Sequence, residues 1–444
     1  MEFTSKMVEE IRSLETKQID FQVSEEIKKR LFDTIISASV GSKNPSVAKM
    51  KGGLVPSFGK LNASIFFSGE RASVEYASLI NTCMVASSGF QDFFPSRMTV
   101  NPSNAIPLIL AFAEGTKAKG HDLLKSIYIS YKASGAFMDA FQKMSGKSES
   151  FIPITMGMAA GVGSLVSMDN DIFSRYLGCA ISAGLGLNEN LPFVEKCFPA
   201  MMAREISFLY KVANSLPDGK GVDLTKDIGG ESALTLDFKT ERVTRSDIRC
   251  NRVDGVLMSA VEAVLALREK LTGEILNLRI EIPDQVYSRN VSGKEAIDKL
   301  DAADLTKSLP YVIAHTHFYG VPEPSFLEEL PIDKNIRDLV GKMKVTTSDD
   351  YTKLFPTFIP IRILYETSDG MFEKQVDLPL GHYRNPAKWS DLRRKSIRIT
   401  GNEEYTDTLI EFVKNIEEKE IGELMEVINS ESTWKKEELG TVIS

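Results

Sequence analysis

Two short stretches crowded with small residues limit what this chain can fold into more than anything else in it. Met156 to Val166 carries Gly157, Ala159, Ala160, Gly161 and Gly163, and Tyr176 to Leu187 carries Gly178, Ala180, Ala183, Gly184 and Gly186. Glycine in a helix costs about 1 kcal/mol relative to alanine, so its repetition along an apolar helix signals neighbouring backbones that approach closely. Neither stretch reaches the roughly 20 apolar residues that span a bilayer. Both are therefore read as buried helices in the middle of a bundle.

The flanking sequence extends that reading. Ser24 is placed as the cap of a helix with Glu25 and Glu26 in its first turn, an apolar stripe at Ile27, Leu31, Ile35 and Ala38, and Gly41 at its end. Further helices are predicted from Ser73 to Ser88, from Asn104 to Gly115 with Pro107 tolerated in the first turn, and from Asp122 to Phe141. The character changes after Leu271. Leu276, Leu278, Ile280 and Ile282 alternate with polar residues as in a half-buried strand, and Phe358 to Glu366 and Met371 to Leu378 form a hairpin around Ser368, Asp369 and Gly370. Between them, Ser308 to Tyr319 and Asp333 to Met343 read as helices, and Asn402 to Ile428 is helical again. The expected fold is multi-domain, α and α+β: a large all-helical domain from residues 1–270 and 395–444, built from both chain ends, with a smaller α+β domain at 271–394 inserted.

Charge and cysteine content narrow the function. With 53 Lys+Arg against 61 Asp+Glu, a net charge of -8, neither a nucleic-acid backbone nor an anionic membrane is expected as a partner. Cys83, Cys179, Cys197 and Cys250 form no CxxC pair, so reduced thiols and a cytoplasmic location are expected, with no metal and no cofactor. The N-terminus to Asp20 is charged throughout and is read as mature from its first residue. Gly146, Lys147 and Ser148 end like a P-loop, but Phe141 stands where its first glycine belongs, and Gly157, Gly161 and Gly163 do not space as a dinucleotide fingerprint. His315 and His317, two apart on a helix, point to different faces and not to one metal, and His121 reads as a surface residue. GxSxG is absent.

An ordered set of weaker motifs carries a resemblance. NTCMVASSGFQD at 81–92 followed by NPSNAIP at 101–107 resembles the NGxxAHxLDFDD…HPS…P segment of the MmgE/PrpD family, which contains 2-methylcitrate dehydratase, cis-aconitate decarboxylase and iminodisuccinate epimerase. GHDLL at 120–124, KCFPAMMAR at 196–204 (like KxxHxGxAAR), ALRE at 266–269, SLPYVIA at 308–314 and the run from Gly381 to Leu392 (like GxPxNPMSxxEL) follow in order. The resemblance implies a helical domain with an inserted α+β domain, a homodimer, an active site between domains and a cofactor-free lyase acting on a small di- or tricarboxylate.

The departures from that pattern fall on the chemistry. Ala86, Asn101, Pro199 and Asp254 stand where the family places histidines, Gly89 and Gln91 replace two aspartates, and the lysine expected near Thr244, Arg245 and Ser246 is not evident. Proton transfer beside a carboxylate needs a group titrating near neutral pH. At family positions only Asp92 and Lys196 remain as catalytic candidates. Arg204, Arg249 and Arg252 are candidate carboxylate clamps, and Asn101 and Ser103 candidate hydrogen-bonding groups for substrate. Each has a plainer alternative: Asp92 as a cap, Lys196 as a surface lysine, Arg204 in an internal ion pair, Arg249 or Arg252 as structural, Asn101 as a loop residue. Family-type activity is accordingly expected to be weak or lost. An isomerase, or a homologue that only binds a metabolite, is the rival reading.

Overall fold

The computed structural model describes residues 3–54, 60–96, 100–145, 151–185, 192–215, 236–293, 297–300, 305–322 and 330–430, with the side chains of 54, 142–145, 185 and 192–196 left aside. They divide into two compact units, Met1–Ser246 with Lys388–Ser444, and Asp247–Ala387. Gly146, Lys147 and Ser148 lie outside the described residues.

The first unit begins with α1 (Phe3–Thr16), α2 (Phe21–Gly41) and α3 (Pro45–Leu54), followed by a two-residue antiparallel ribbon of β1 (Ala63–Ser64) and β2 (Arg71–Ala72). Then come α4 (Val74–Ser88), a 3-10 turn at Pro102–Ala105, α5 (Ile106–Thr116), α6 (Gly120–Ser145), α7 (Ile152–Leu165), α8 (Asn170–Leu185) and α9 (Pro192–Ser215). The small-residue helices behave as their composition demands. Every residue of α7 from Ile152 to Gly163 is buried. A methyl group added at Gly157 would sit 2.0 Å from Ser134 Oγ of α6, and one at Gly163 would sit 2.1 Å from the Phe173 ring of α8. Glycine here sets the distance between helices. α2 starts one turn before the expected Ser24, because Asp20 caps it by accepting from the Gln22 N–H at 2.8 Å.

The second unit carries α10 (Met258–Arg268), β3 (Ile275–Ile282), α11 (Asp284–Asn290), α12 (Leu309–Tyr319), α13 (Lys334–Gly341), β4 (Met343–Thr347), α14 (Asp349–Leu354), β5 (Ile361–Thr367) and β6 (Gly370–Val376). The sheet runs in the order β4-β3-β5-β6, with β4 parallel to β3 and the other pairs antiparallel. Leu278, Ile280 and Ile282 are buried, as are Ile361, Ile363 and Tyr365. Leu276, expected on the same face, is 46% exposed because a register shift between Ile275 and Asn277 breaks the alternation there. The edge strand β4 was not expected. Its MKVTT sequence carries two apolar residues, Met343 and Val345, neither fully buried, and it is held by pairing with β3 from Leu278↔Met343 to Ile282↔Thr347.

The chain then returns to the helical unit through α15 (Trp389–Thr400), α16 (Glu403–Lys414) and a helix over 421–430. Trp389 packs edge-on against Phe32 with ring centres 5.8 Å apart, and its Nε1 donates to Glu25 at 3.1 Å. The unit divisions at 246/247 and 387/388 differ from the expected 270/271 and 394/395. α10 sits against the sheet, where the Ser259 hydroxyl donates to the Ile359 carbonyl at 2.7 Å, and Trp389 already belongs to the helical packing. Within the inserted unit, the first and last segments are tied together. The Ile248 N–H donates to the Gly381 carbonyl at 2.9 Å and the Tyr383 N–H to Asp247 Oδ1 at 2.8 Å. A side chain at Gly381 (φ +92°) would meet the Ile248 carbonyl at 2.1 Å. No helix among the described residues is long and apolar enough to cross a membrane.

Candidate functional site

Three of the expected site residues come together just beyond the C-terminus of α4. Asp92 is only 2% exposed. Its Oδ1 accepts from the Ser103 N–H at 2.9 Å, its Oδ2 accepts from the Tyr131 hydroxyl at 2.6 Å, and its backbone carbonyl accepts from Asn101 Nδ2 at 2.7 Å. One carboxylate thus holds the start of the 3-10 turn that leads into α5 and a tyrosine of α6. The Ser103 contact is made by its backbone, so its hydroxyl is not part of this arrangement.

A second layer of charge surrounds Asp92. Arg30 of α2 lies 3.9 Å from Asp92 Oδ2 and donates to Glu26 at 2.6 Å and to the Ser246 hydroxyl at 2.6 Å. Burial opposes its charge, but Glu26, Tyr131 and Asp92 outweigh that cost and raise its pKa. One turn further along α2, Asp33 pairs with Lys395 of α15 at 2.6 Å, and the Lys395 ammonium sits 4.6 Å from the Phe90 ring centre. Burial pushes the Asp33 carboxyl up despite Lys395, and the nearby Asp92 charge pushes the same way. The Tyr131 phenol is driven far upward by burial and by Asp92, so it acts as a donor and not as a base. Sequence reasoning missed Arg30, Asp33, Tyr131 and Lys395. Arg30 left a signal, since it falls between Ile27 and Leu31 on the apolar stripe of α2.

The remaining candidates lie elsewhere. Lys196 belongs to the second turn of α9, and its side chain lies outside those described. Arg204, two turns further along α9, is 53% exposed and 3.7 Å from Glu205, which corrects the expectation of an internal pair. It lines a cleft of about 850 Å³ with Glu75, Tyr76, Phe112, Phe208 and Lys211. Asp92 is not among the residues that line this cleft.

Arg249 and Arg252 belong to the inserted unit. Arg249 acts there on Asp254, the residue standing for a family histidine. Asp254 is buried, caps the turn at Gly255–Leu257, and accepts from Arg289 at 3.0 Å and from Asn290 at 3.2 Å. Burial works against its charge, but Arg289, Arg249 and Asn290 hold its pKa low. His382, fully buried, has its Nε2 3.9 Å from Asp247 Oδ2. Burial and Arg384 depress its pKa to about 4, so it stays neutral. His315 Nδ1 is bonded to the Gly320 carbonyl at 2.9 Å, while the His317 ring lies against Tyr365. Burial depresses both. Among the described residues no group of three or more His, Cys, Asp or Glu stands ready to hold a metal ion.

A helical unit closed by both chain ends, with an inserted α+β unit, is the architecture of one known class of proteins. The MmgE/PrpD N-terminal domain matches residues 5–196 and the MmgE/PrpD C-terminal domain matches residues 253–417. The chain belongs to the MmgE/PrpD family, which includes dehydratases and related enzymes.

Proposed function

We propose that the chain is a homodimeric, cofactor-free lyase of the 2-methylcitrate dehydratase type, acting slowly on a small di- or tricarboxylate. Family membership supports the reaction class. The closure of Asp92 supports the slow rate: both of its oxygens are already engaged, by the Ser103 N–H and the Tyr131 hydroxyl, in a place solvent does not reach. In this reading Asp92 positions the segment at 101–103, Lys196 is the proton-transfer group, and Asn101, Ser103, Arg204, Arg249 and Arg252 are candidates to hold the substrate carboxylates. Of these, Arg204 has the weakest support, because it opens onto the separate cleft.

The same closure favours a second reading, in which the protein binds a carboxylate metabolite without turning it over. Loss of one general acid or base typically lowers a rate about 10²- to 10⁴-fold, and groups acting as a unit fail together. Calorimetry with 2-methylcitrate and citrate, run beside product NMR on those compounds, cis-aconitate and iminodisuccinate, separates the two. Slow dehydration with Lys196→Ala abolishing it supports the lyase. Binding with no product supports the second reading. Turnover of order 1 to 10³ per second would overturn both the slow rate of the first reading and the second reading outright.

A further inference from the structure

Two of the four cysteines, 114 residues apart in sequence, meet where α4 packs against α9. Cys83 Sγ and Cys197 Sγ are 3.9 Å apart. Cys83 is 3% exposed, while Cys197 is half-buried. We propose that Cys83 and Cys197 form a reversible modification site, oxidised to an intramolecular disulfide by small-molecule disulfides of the glutathione type.

Three observations favour this over two merely adjacent thiols. The sulfurs must close from 3.9 Å to about 2.05 Å, a shift within reach of side-chain rotation and a small movement of one helix. Pro199 lies inside α9, two residues beyond Cys197. It removes one helical N–H and crowds the carbonyl of residue 195, so the turn carrying Cys197 lacks one of its helical hydrogen bonds. The pair is also unequal. The Cys83 thiol, hydrogen-bonded to Cys197, holds the Cys197 pKa down to about 7 against burial, while that bond and burial push Cys83 up. Half-buried Cys197 is therefore the nucleophile and buried Cys83 the resolving thiol.

The chemistry balances in two exchanges. The Cys197 thiolate attacks one sulfur of the small disulfide, that S–S bond breaks, and one thiolate leaves. Cys83 then loses its proton and attacks the Cys197 sulfur, which expels the second small thiolate. The two protein thiols are oxidised and the small disulfide is reduced to two thiols. Excess dithiothreitol reverses both steps.

The full chain, reduced and then incubated with glutathione disulfide, is tested by free-thiol titration and non-reducing peptide mass mapping. The expected result is the loss of two of four thiols and a cross-linked pair of peptides containing Cys83 and Cys197, both restored by dithiothreitol. Cys197→Ser, at the half-buried position, should leave Cys83 unmodified under the same conditions. Glutathione remaining on Cys197 with Cys83 free, a link between other cysteines or between chains, or no reaction at all would overturn the proposal. Peptide mapping of the unaltered protein decides the matter even if the variant fails to fold.

Discussion

Replacing Lys395 by methionine keeps the alkyl stem and deletes the charge opposite Asp33. The two groups are 3% and 5% exposed and 2.6 Å apart. At that separation their attraction is roughly 6 kcal/mol in an effective dielectric of about 20. Most of it offsets desolvation, so removing one partner should cost about 3–5 kcal/mol by leaving a buried carboxylate without its ammonium. Asp33 already has a raised pKa, and losing Lys395 raises it further. The folded state then holds a proton that the unfolded state releases near pH 3.9. The variant's stability should fall as pH rises from about 4 through the folded pKa of Asp33, so its deficit is largest near neutral pH. Urea unfolding of both proteins across that range reads the deficit directly. Adding Asp33→Leu to Lys395→Met removes the stranded charge and should recover most of the loss. A single-variant cost under about 1 kcal/mol, the range of exposed pairs, or a double variant no better than the single, would refute the reasoning.

Tyr131→Phe removes the donor to Asp92 Oδ2 and should cost about 1.5–3 kcal/mol in the same unfolding assay; an unchanged midpoint would show that the bond adds nothing. His382 has a folded pKa of about 4 against an ordinary 6.5, so the unfolded state takes up its proton first as pH falls. Stability should decline between those values by roughly 3 kcal/mol, and His382→Asn should flatten that part of the profile. Light scattering is expected to give about twice the 49.3 kDa of one chain, and a single-chain mass at micromolar concentration contradicts the dimer.

Helices written in composition were the legible part of this fold. Gly157 and Gly163 announced close packing, and the contacts at Ser134 and Phe173 are what such packing looks like. The hairpin was equally plain, with Ser368, Asp369 and Gly370 joining β5 to β6. β4 was not legible, because its pairing comes from a partner some 65 residues earlier and its own two half-buried apolar residues, Met343 and Val345, are too few to mark a strand. The site was half legible. Family motifs pointed to Asp92, Asn101 and Ser103, which do meet. What surrounds Asp92 comes from α2, α6 and α15, and no local pattern links Asp33 to a lysine 362 positions away. The Cys83 and Cys197 contact stayed hidden for the same reason.

That long separation also sets an order of events during synthesis. The inserted unit is one continuous segment, 247–387, whereas the helical unit lacks α15 and α16 until the last part of the chain is made. Asp33 leaves the ribosome 362 residues before Lys395, which at ~5–20 residues per second is on the order of half a minute. The domain translated first is thus completed last. Through that interval the face of α2 that later receives Trp389 and Lys395 stays uncovered, and nascent chains stalled before residue 389 should recruit holdase chaperones that the finished protein does not.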